Sequence, residues 1–187
     1  LAMTQRAVFD TDGGVIVVET TINGTTVARY SAAGVLDASF GNLGVAAVDF
    51  ELPVLASAVA IQSDGAILIA GTAALSLSAS EIVVHRLQAD GATDTTFGDG
   101  GTARFAFGGE AGSLATGIAI QPDGTVVVVG GSGQVDFGSL SLVDAVFAVG
   151  RLAPGGTPDL VAIEDQAFSV TIGDSIFADI DVGDNVG

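Results

Sequence analysis

The chain has no cysteine, no lysine and no tryptophan, and it holds one tyrosine, one histidine and five arginines. Without cysteine there are no disulfides, thiolate metal sites or thiol nucleophiles. Five arginines face 22 acidic residues, for a net charge of −17. Nucleic-acid binding needs a basic face that displaces counterions from phosphates. No such face can be assembled here, and an anionic membrane surface is excluded on the same ground. Apolar runs such as Val126 to Val129 fall far short of the roughly 18 residues that suggest a membrane helix, so no membrane insertion is expected. His85 has no second histidine with which to hold zinc, and it reads as a packed or edge residue of a strand. No Gly-x-Ser-x-Gly elbow is present. The glycine-rich stretches at 98–101 and 130–133 lack the lysine of a phosphate loop and read as turns. The expectation is a protein that is not an enzyme. A charge this negative suits a salty exterior or the binding of divalent cations, and equally the simple solubility of a valine-rich chain. Leu1-Ala2 opens the sequence with no basic segment leading into an apolar one. The chain is therefore read as a processed product or a piece of a longer polypeptide.

What is abundant is apolar residues, 49 % of the chain, and 27 glycines. They are organised by a repeat. "AVAIQSDGAILIAG" begins at Ala58, and "GIAIQPDGTVVVVG" begins at Gly117, 59 residues later. A worn copy, "AVFDTDGGVIVV", begins at Ala7. Each is two apolar runs joined at Asp-Gly, a hairpin signal because glycine supplies the positive φ of the turn. A third strand follows in every copy: "TTVARYSAAG", "EIVVHRLQADG" and "VFAVGRLAPGG". Each of these carries an arginine, with an aspartate eight residues beyond: Arg29 and Asp37, Arg86 and Asp94, Arg151 and Asp159. An arginine in a valine-rich sheet is costly unless paired. Equal spacing marks these residues as structural pairs that tie the end of strand three to the turn before strand four.

Two copies continue into Phe-Gly, at Phe40-Gly41 and Phe97-Gly98, and then into "GVAAVDF" and "GTARFAF" as fourth strands. Phe40 is expected to fill the space between repeats. The third copy reads "TPDLV" from Thr157, where Phe-Gly is due, and the array is read as stopping there. No helical periodicity of useful length is present. The fold class is therefore all-β: three repeated four-stranded antiparallel blades in a propeller-like array, then a short strand-forming tail. The blades span about 1–54, 55–113 and 114–160, and the tail spans 161–187. Extra length between the second and third strands, around "TAALSLSAS" and "GSGQVDFGSLSLVD", maps to loops on one rim.

With these residues in view, the segment from Ala7 to about residue 160 resembles the delta-60 repeat family, bacterial repeats of large secreted proteins read as propeller-like. The resemblance is most specific in "AIQSDGAILIAG…HRLQADGATDTTFGDGG". It implies a secreted, cell-surface setting and carries over no catalytic residue. From Val161 the sequence changes. "EDQAF" followed by "FADIDVGD" resembles the opening of bacterial cadherin-like repeats of immunoglobulin fold. That resemblance points to calcium on Asp179, Asp181 and Asp184, with Glu164. Calcium takes six to eight oxygen ligands, and these three aspartates stand within six residues, with Gly183 to turn the backbone.

The expected function is a structural or adhesive segment of a large secreted surface protein, a scaffold or subunit of an extracellular assembly. Three blades are fewer than the four to eight that close a ring. The expected partners are therefore further copies of the chain or neighbouring modules, met through strand edges. "AFSVTI" in the tail could add a strand to a neighbour. The rival is a carbohydrate-binding or carbohydrate-degrading propeller, which the scarcity of tryptophan and tyrosine disfavours. The calcium reading predicts that calcium raises the melting temperature, and that Asp179→Ala combined with Asp181→Ala removes the rise; a melt indifferent to calcium in the native chain would leave the scaffold alone.

Overall fold

The computed structural model describes residues 4–76, 79–107, 112–136 and 141–163. They form three four-stranded antiparallel sheets, and no helix occurs among them. The first sheet is β1 (Thr4–Phe9), β2 (Val15–Thr21), β3 (Gly24–Tyr30) and β4 (Val45–Val48). The second is β5 (Val54–Ile61), β6 (Ile67–Ala74), β7 (Ser80–Leu87) and β8 (Thr102–Phe105). The third is β9 (Gly112–Ile120), β10 (Val126–Asp136), β11 (Ser141–Leu152) and β12 (Pro158–Ile163). Strands within each sheet lie in sequence order, so every connection inside a blade is a short reversal.

Six of those reversals are the same five-residue turn, at 10–14, 31–35, 62–66, 88–92, 121–125 and 153–157. In each, the first residue donates its amide to the carbonyl of the fifth, and the fourth donates back to the first. The fourth residue is always glycine, with φ between 75° and 90°. That is the region an L side chain avoids and glycine enters freely. Asp64, Asp90 and Asp123 precede three of these glycines, and each accepts the amide two residues on at about 3 Å. The Asp-Gly signature is thus a turn with its own side-chain brace.

Blades stack face to face, and the first strands, β1, β5 and β9, lie against one another. Alternation along each strand divides the side chains between neighbours. Ile67, Ile69, Val83 and Leu87 face the first blade, packing on Ile16, Val18, Val27 and Phe40. Leu68, Ala70, Ile82 and Val84 face the third, packing on Val126, Val128, Ala148 and Leu152. The middle blade is therefore apolar on both faces, and that is why β6 reads as an unbroken hydrophobic run.

Several details depart from the sequence reading. Residues 130–133 are not a turn but part of β10. Gly130, like Gly71 in β6, faces a β-bulge in the neighbouring strand, and a side chain there would collide with the carbonyl of Leu114 or Leu55. The extra length after residue 130 extends the β10–β11 hairpin instead of looping out. β4 and β8 end before Phe50 and Phe107, which are buried in the inter-blade clusters. Finally, "TPDLV" does not end the array. It is the start of β12, which runs to Ile163 and pairs with β11 from Ala148 to Leu152. Where the first two blades interpose a loop after Asp37 or Asp94, the third turns straight into its last strand.

His85 lies in the seam between the first two blades, 2 % exposed. Its Nδ1 is 2.9 Å from the Thr102 hydroxyl, and its ring meets Phe50 edge-on at 5.5 Å. Burial lowers its pKa from 6.5 to about 4, against the opposing pull of the Asp49 charge. The unfolded chain thus takes up a proton that the folded chain refuses. The stability that neutral His85 contributes is complete above pH 6.5 and declines as pH falls towards about 4. His85→Gln is expected to flatten that limb of a plot of denaturation midpoint against pH, and an unchanged limb would contradict the assignment.

Candidate functional site

The residues that recur in sequence converge on the seams between blades. In the first seam, Arg29 at the end of β3 donates from Nε and Nη2 to Oδ2 of Asp37 at 2.8 and 2.7 Å. Its Nη1 reaches into the next blade and donates to the carbonyl of Ala89 at 2.7 Å. In the second seam, Arg86 donates from Nε and Nη2 to Asp94 Oδ2, both at 2.8 Å, and from Nη1 to the carbonyl of Pro154 at 2.7 Å. Ala89 and Pro154 occupy the same place in the same turn of successive blades. The other carboxylate oxygen is held locally: Asp37 Oδ1 accepts the Ser39 hydroxyl at 2.6 Å, and Asp94 Oδ1 accepts the Thr96 hydroxyl at 2.6 Å. These bonds from Ser39 and Thr96, more than the arginines, hold both carboxyls below the usual range. The alternation of hydroxyl residues two places after each aspartate was the sequence signal for this brace, and the pairing argument passed over it.

Beneath each arginine lies a phenylalanine. The Arg29 guanidinium sits 5.0 Å from the Phe40 ring centre, and that of Arg86 sits 4.6 Å from Phe97. Both rings are wholly buried. They press on the glycine of the next blade's turn, Gly91 or Gly156, where an added Cβ would stand 3.0 Å from ring atoms. The amides of Gly41 and Gly98 complete the contact by donating to the carbonyls of Asp90 and Gly155 at 2.7 and 2.8 Å. Each seam is therefore closed by a plug, Arg and Phe-Gly, set into a socket formed by a glycine turn.

Among the described residues, the third copy keeps only the pair. Arg151 Nε donates to Asp159 Oδ1 at 2.9 Å, and this hydrogen bond to Asp159 is the main reason the Arg151 pKa is raised. Arg151 and Asp159 are 31 % and 37 % exposed, against 13 % and 16 % for Arg86 and Asp94. The two remaining arginines are also engaged. Arg6 donates to the carbonyls of Ser57 and Gln5, and Arg104 pairs with Glu81 at 3.0 Å.

A groove of about 890 Å³ opens where β1, β5 and β9 approach the hairpin at 20–25; its lining includes Ile22, Asn23, Asp49, Leu52, Leu55 and Leu114. Among the described residues Asp49 is the one carboxylate in it and Phe50, itself buried, the one aromatic ring. Among the described residues no three His, Asp or Glu side chains are grouped to hold a metal ion. Glu164, Asp179, Asp181 and Asp184, the expected calcium ligands, lie outside the described residues. Among the described residues no helix is long and apolar enough to cross a membrane.

Three apolar-faced antiparallel blades locked at their seams define a propeller-like repeat array. The comparisons agree with that class: residues 62–97 match the family described as a domain of unknown function (DUF5122) beta-propeller. The match begins at the Asp-Gly turn of the middle blade and ends on the plug residue Phe97. No curated protein matches the chain.

The seam geometry separates residues that look alike in sequence. Phe97→Ala, emptying a fully buried site between blades, is expected to cost about 3–5 kcal/mol in chemical denaturation. Arg151→Ala, breaking a part-exposed pair that spans no seam, is expected to cost under about 1 kcal/mol. Equal costs would contradict the reading of Phe97 as a plug that holds two blades together and Arg151 as a pair within one.

Proposed function

We propose that this chain is a non-enzymatic structural or adhesive segment of a large secreted bacterial surface protein, serving as a scaffold or subunit of an extracellular assembly. One observation carries the reading. In the first two blades the repeated residues, Arg29, Asp37 and Phe40 and then Arg86, Asp94 and Phe97, are consumed in joining one blade to the next. Repetition here maintains a joint, and among the described residues no repeated arginine or aspartate lines the groove. The extracellular setting is drawn from the resemblance to secreted repeats and fits the net charge of −17. Calcium held by the tail through Asp179, Asp181, Asp184 and Glu164 belongs to this proposal, as do partners that extend the array.

The alternative, a carbohydrate-binding or carbohydrate-degrading propeller, draws support from the groove beside Ile22 and Leu52. Its lining is poor for the task. Sugars favour exposed aromatic platforms, and hydrolysis usually employs two carboxylates, whereas Asp49 stands alone. Glycan-array screening of the full chain is expected to give no retention. Retention that Leu52→Asp abolishes would replace the scaffold reading with the carbohydrate one.

A further inference from the structure

Among the described residues, the same socket that receives a plug on the second and third blades is present, and empty, on the first. The turn at 31–35 carries the same two hydrogen bonds as those at 88–92 and 153–157, both 2.8 Å. Its glycine, Gly34, has φ 75°, beside 90° at Gly91 and 85° at Gly156. At Gly91 and Gly156 an added Cβ would meet a phenylalanine ring and a glycine amide of the preceding blade, whereas at Gly34 it would meet nothing within 4 Å. Residues 31–36 are all exposed. Among the described residues no donor reaches the carbonyls of Ala32 and Ala33, which correspond to those that take the arginine and the Gly41 or Gly98 amide elsewhere. Phe9, at the end of β1 and paired with Val15, which in turn pairs with Tyr30 at the start of this turn, is 79 % exposed. Its counterparts Ile61 and Ile120 are packed into the two seams.

The plug that would fill this socket is not free in the chain. Those of the first and second blades are already inserted. The third blade has Ala162-Ile163, within β12, where Phe-Gly is due. We propose that the outer face of the first blade, centred on Ser31 to Val35, docks a further blade of this repeat type that presents Arg-x7-Asp-x2-Phe-Gly, and not a second copy of this chain. The arginine of the incoming blade donates to the Ala32 carbonyl, its Phe-Gly amide donates to the Ala33 carbonyl, and its phenylalanine lies flat on Gly34 against Phe9. This deepens the scaffold reading above and rests on it, and it gives the array a direction: open at the first blade, stopped at the third.

The test builds the missing plug. Inserting Ala-Ser-Phe-Gly-Asn-Leu-Gly, the sequence of residues 38–44, after Asp159 restores the loop of the first blade at the third. Adding Gly34→Asn closes that molecule's own socket, because asparagine tolerates left-handed φ yet fills the space a ring would need. Mixed with native chain, this donor is expected to form a 1:1 complex in sedimentation velocity, with complete loss of the complex when the native partner also carries Gly34→Asn. Native chain alone is expected to stay monomeric. A donor with native-like circular dichroism that forms no complex overturns the proposal. So does a dimer of native chain that Gly34→Asn leaves intact, since its occupant would be a second copy. Should the donor fail to fold, a peptide of residues 29–44 added to isotopically labelled native chain decides the matter. Shifts confined to the amides of 31–36 support docking, and none overturns it. Glycan retention would remove the scaffold reading without touching these outcomes, so the two failures are told apart.

Discussion

A guanidinium set at a seam between two apolar sheets has five N–H donors to satisfy and little water to satisfy them, since the Arg29 and Arg86 side chains are only 22 % and 13 % exposed. Arg29 and Arg86 meet this demand in a way that ties three pieces of chain together. Nε and Nη2 go to an aspartate of the same blade, Nη1 goes to a carbonyl of the next, and the flat face covers a phenylalanine ring. None of these partners can move far without costing a part-buried guanidinium one of its hydrogen bonds. The relative placement of the blades follows from this. Hydrophobic contact alone would let valine-covered sheets slide over one another, whereas the arginine and the Phe-Gly amide fix both the distance and the register.

The joint is polar in the directional sense as well. Every blade has a socket at the turn after its third strand, and the first two also carry the plug, Arg and Phe-Gly, that enters the socket of the next. A strand-edge contact would be indifferent to which blade came first, but a plug and a socket are not. The third blade shows what happens when half of the device is removed. With no loop after Asp159, the chain pairs with β11 at once, from Leu152 to Ala148. Arg151 keeps its aspartate and loses its neighbour, and the pair becomes more exposed. Within one molecule, the presence or absence of a few residues separates an internal blade from a terminal one.

Much of this was legible in the sequence because the repeat reports on itself. The Asp-Gly turns, the three arginine–aspartate spacings and the buried Phe40 each follow from a residue type that has few physical alternatives at its position. The failures share a cause, which is that the partner lies far away in sequence. Nothing near Gly71 or Gly130 announces that a bulged strand will bring the carbonyl of Leu55 or Leu114 against it. Glu19, the counterpart in the first blade, pairs across a sheet with no bulge. The roles of Ala89 and Pro154 were invisible for a related reason, since they act through backbone carbonyls that any residue could supply. Fourth strands were drawn too long because Phe50 and Phe107 continue the apolar pattern after the ladder has ended. The pattern records burial, and burial between blades resembles burial within a sheet.

This has a consequence for where individuality can reside in such a chain. Positions that recur are bound to the seams, so a ligand cannot be read from them. The blades differ instead in the hairpin between their second and third strands. It is a two-residue turn, Ile22-Asn23, in the first, a wider connection from Leu75 to Ala79 in the second, and a long ladder reaching Asp136 in the third. These hairpins stand away from the plug turns, at the opposite ends of the same strands. Their length can change without disturbing Arg29, Arg86 or the glycines they press on. The groove beside Ile22 lies at that end. A fold joined at one rim thus leaves its other rim free to vary, which is the arrangement a repeated scaffold needs if its copies are to differ in what they meet.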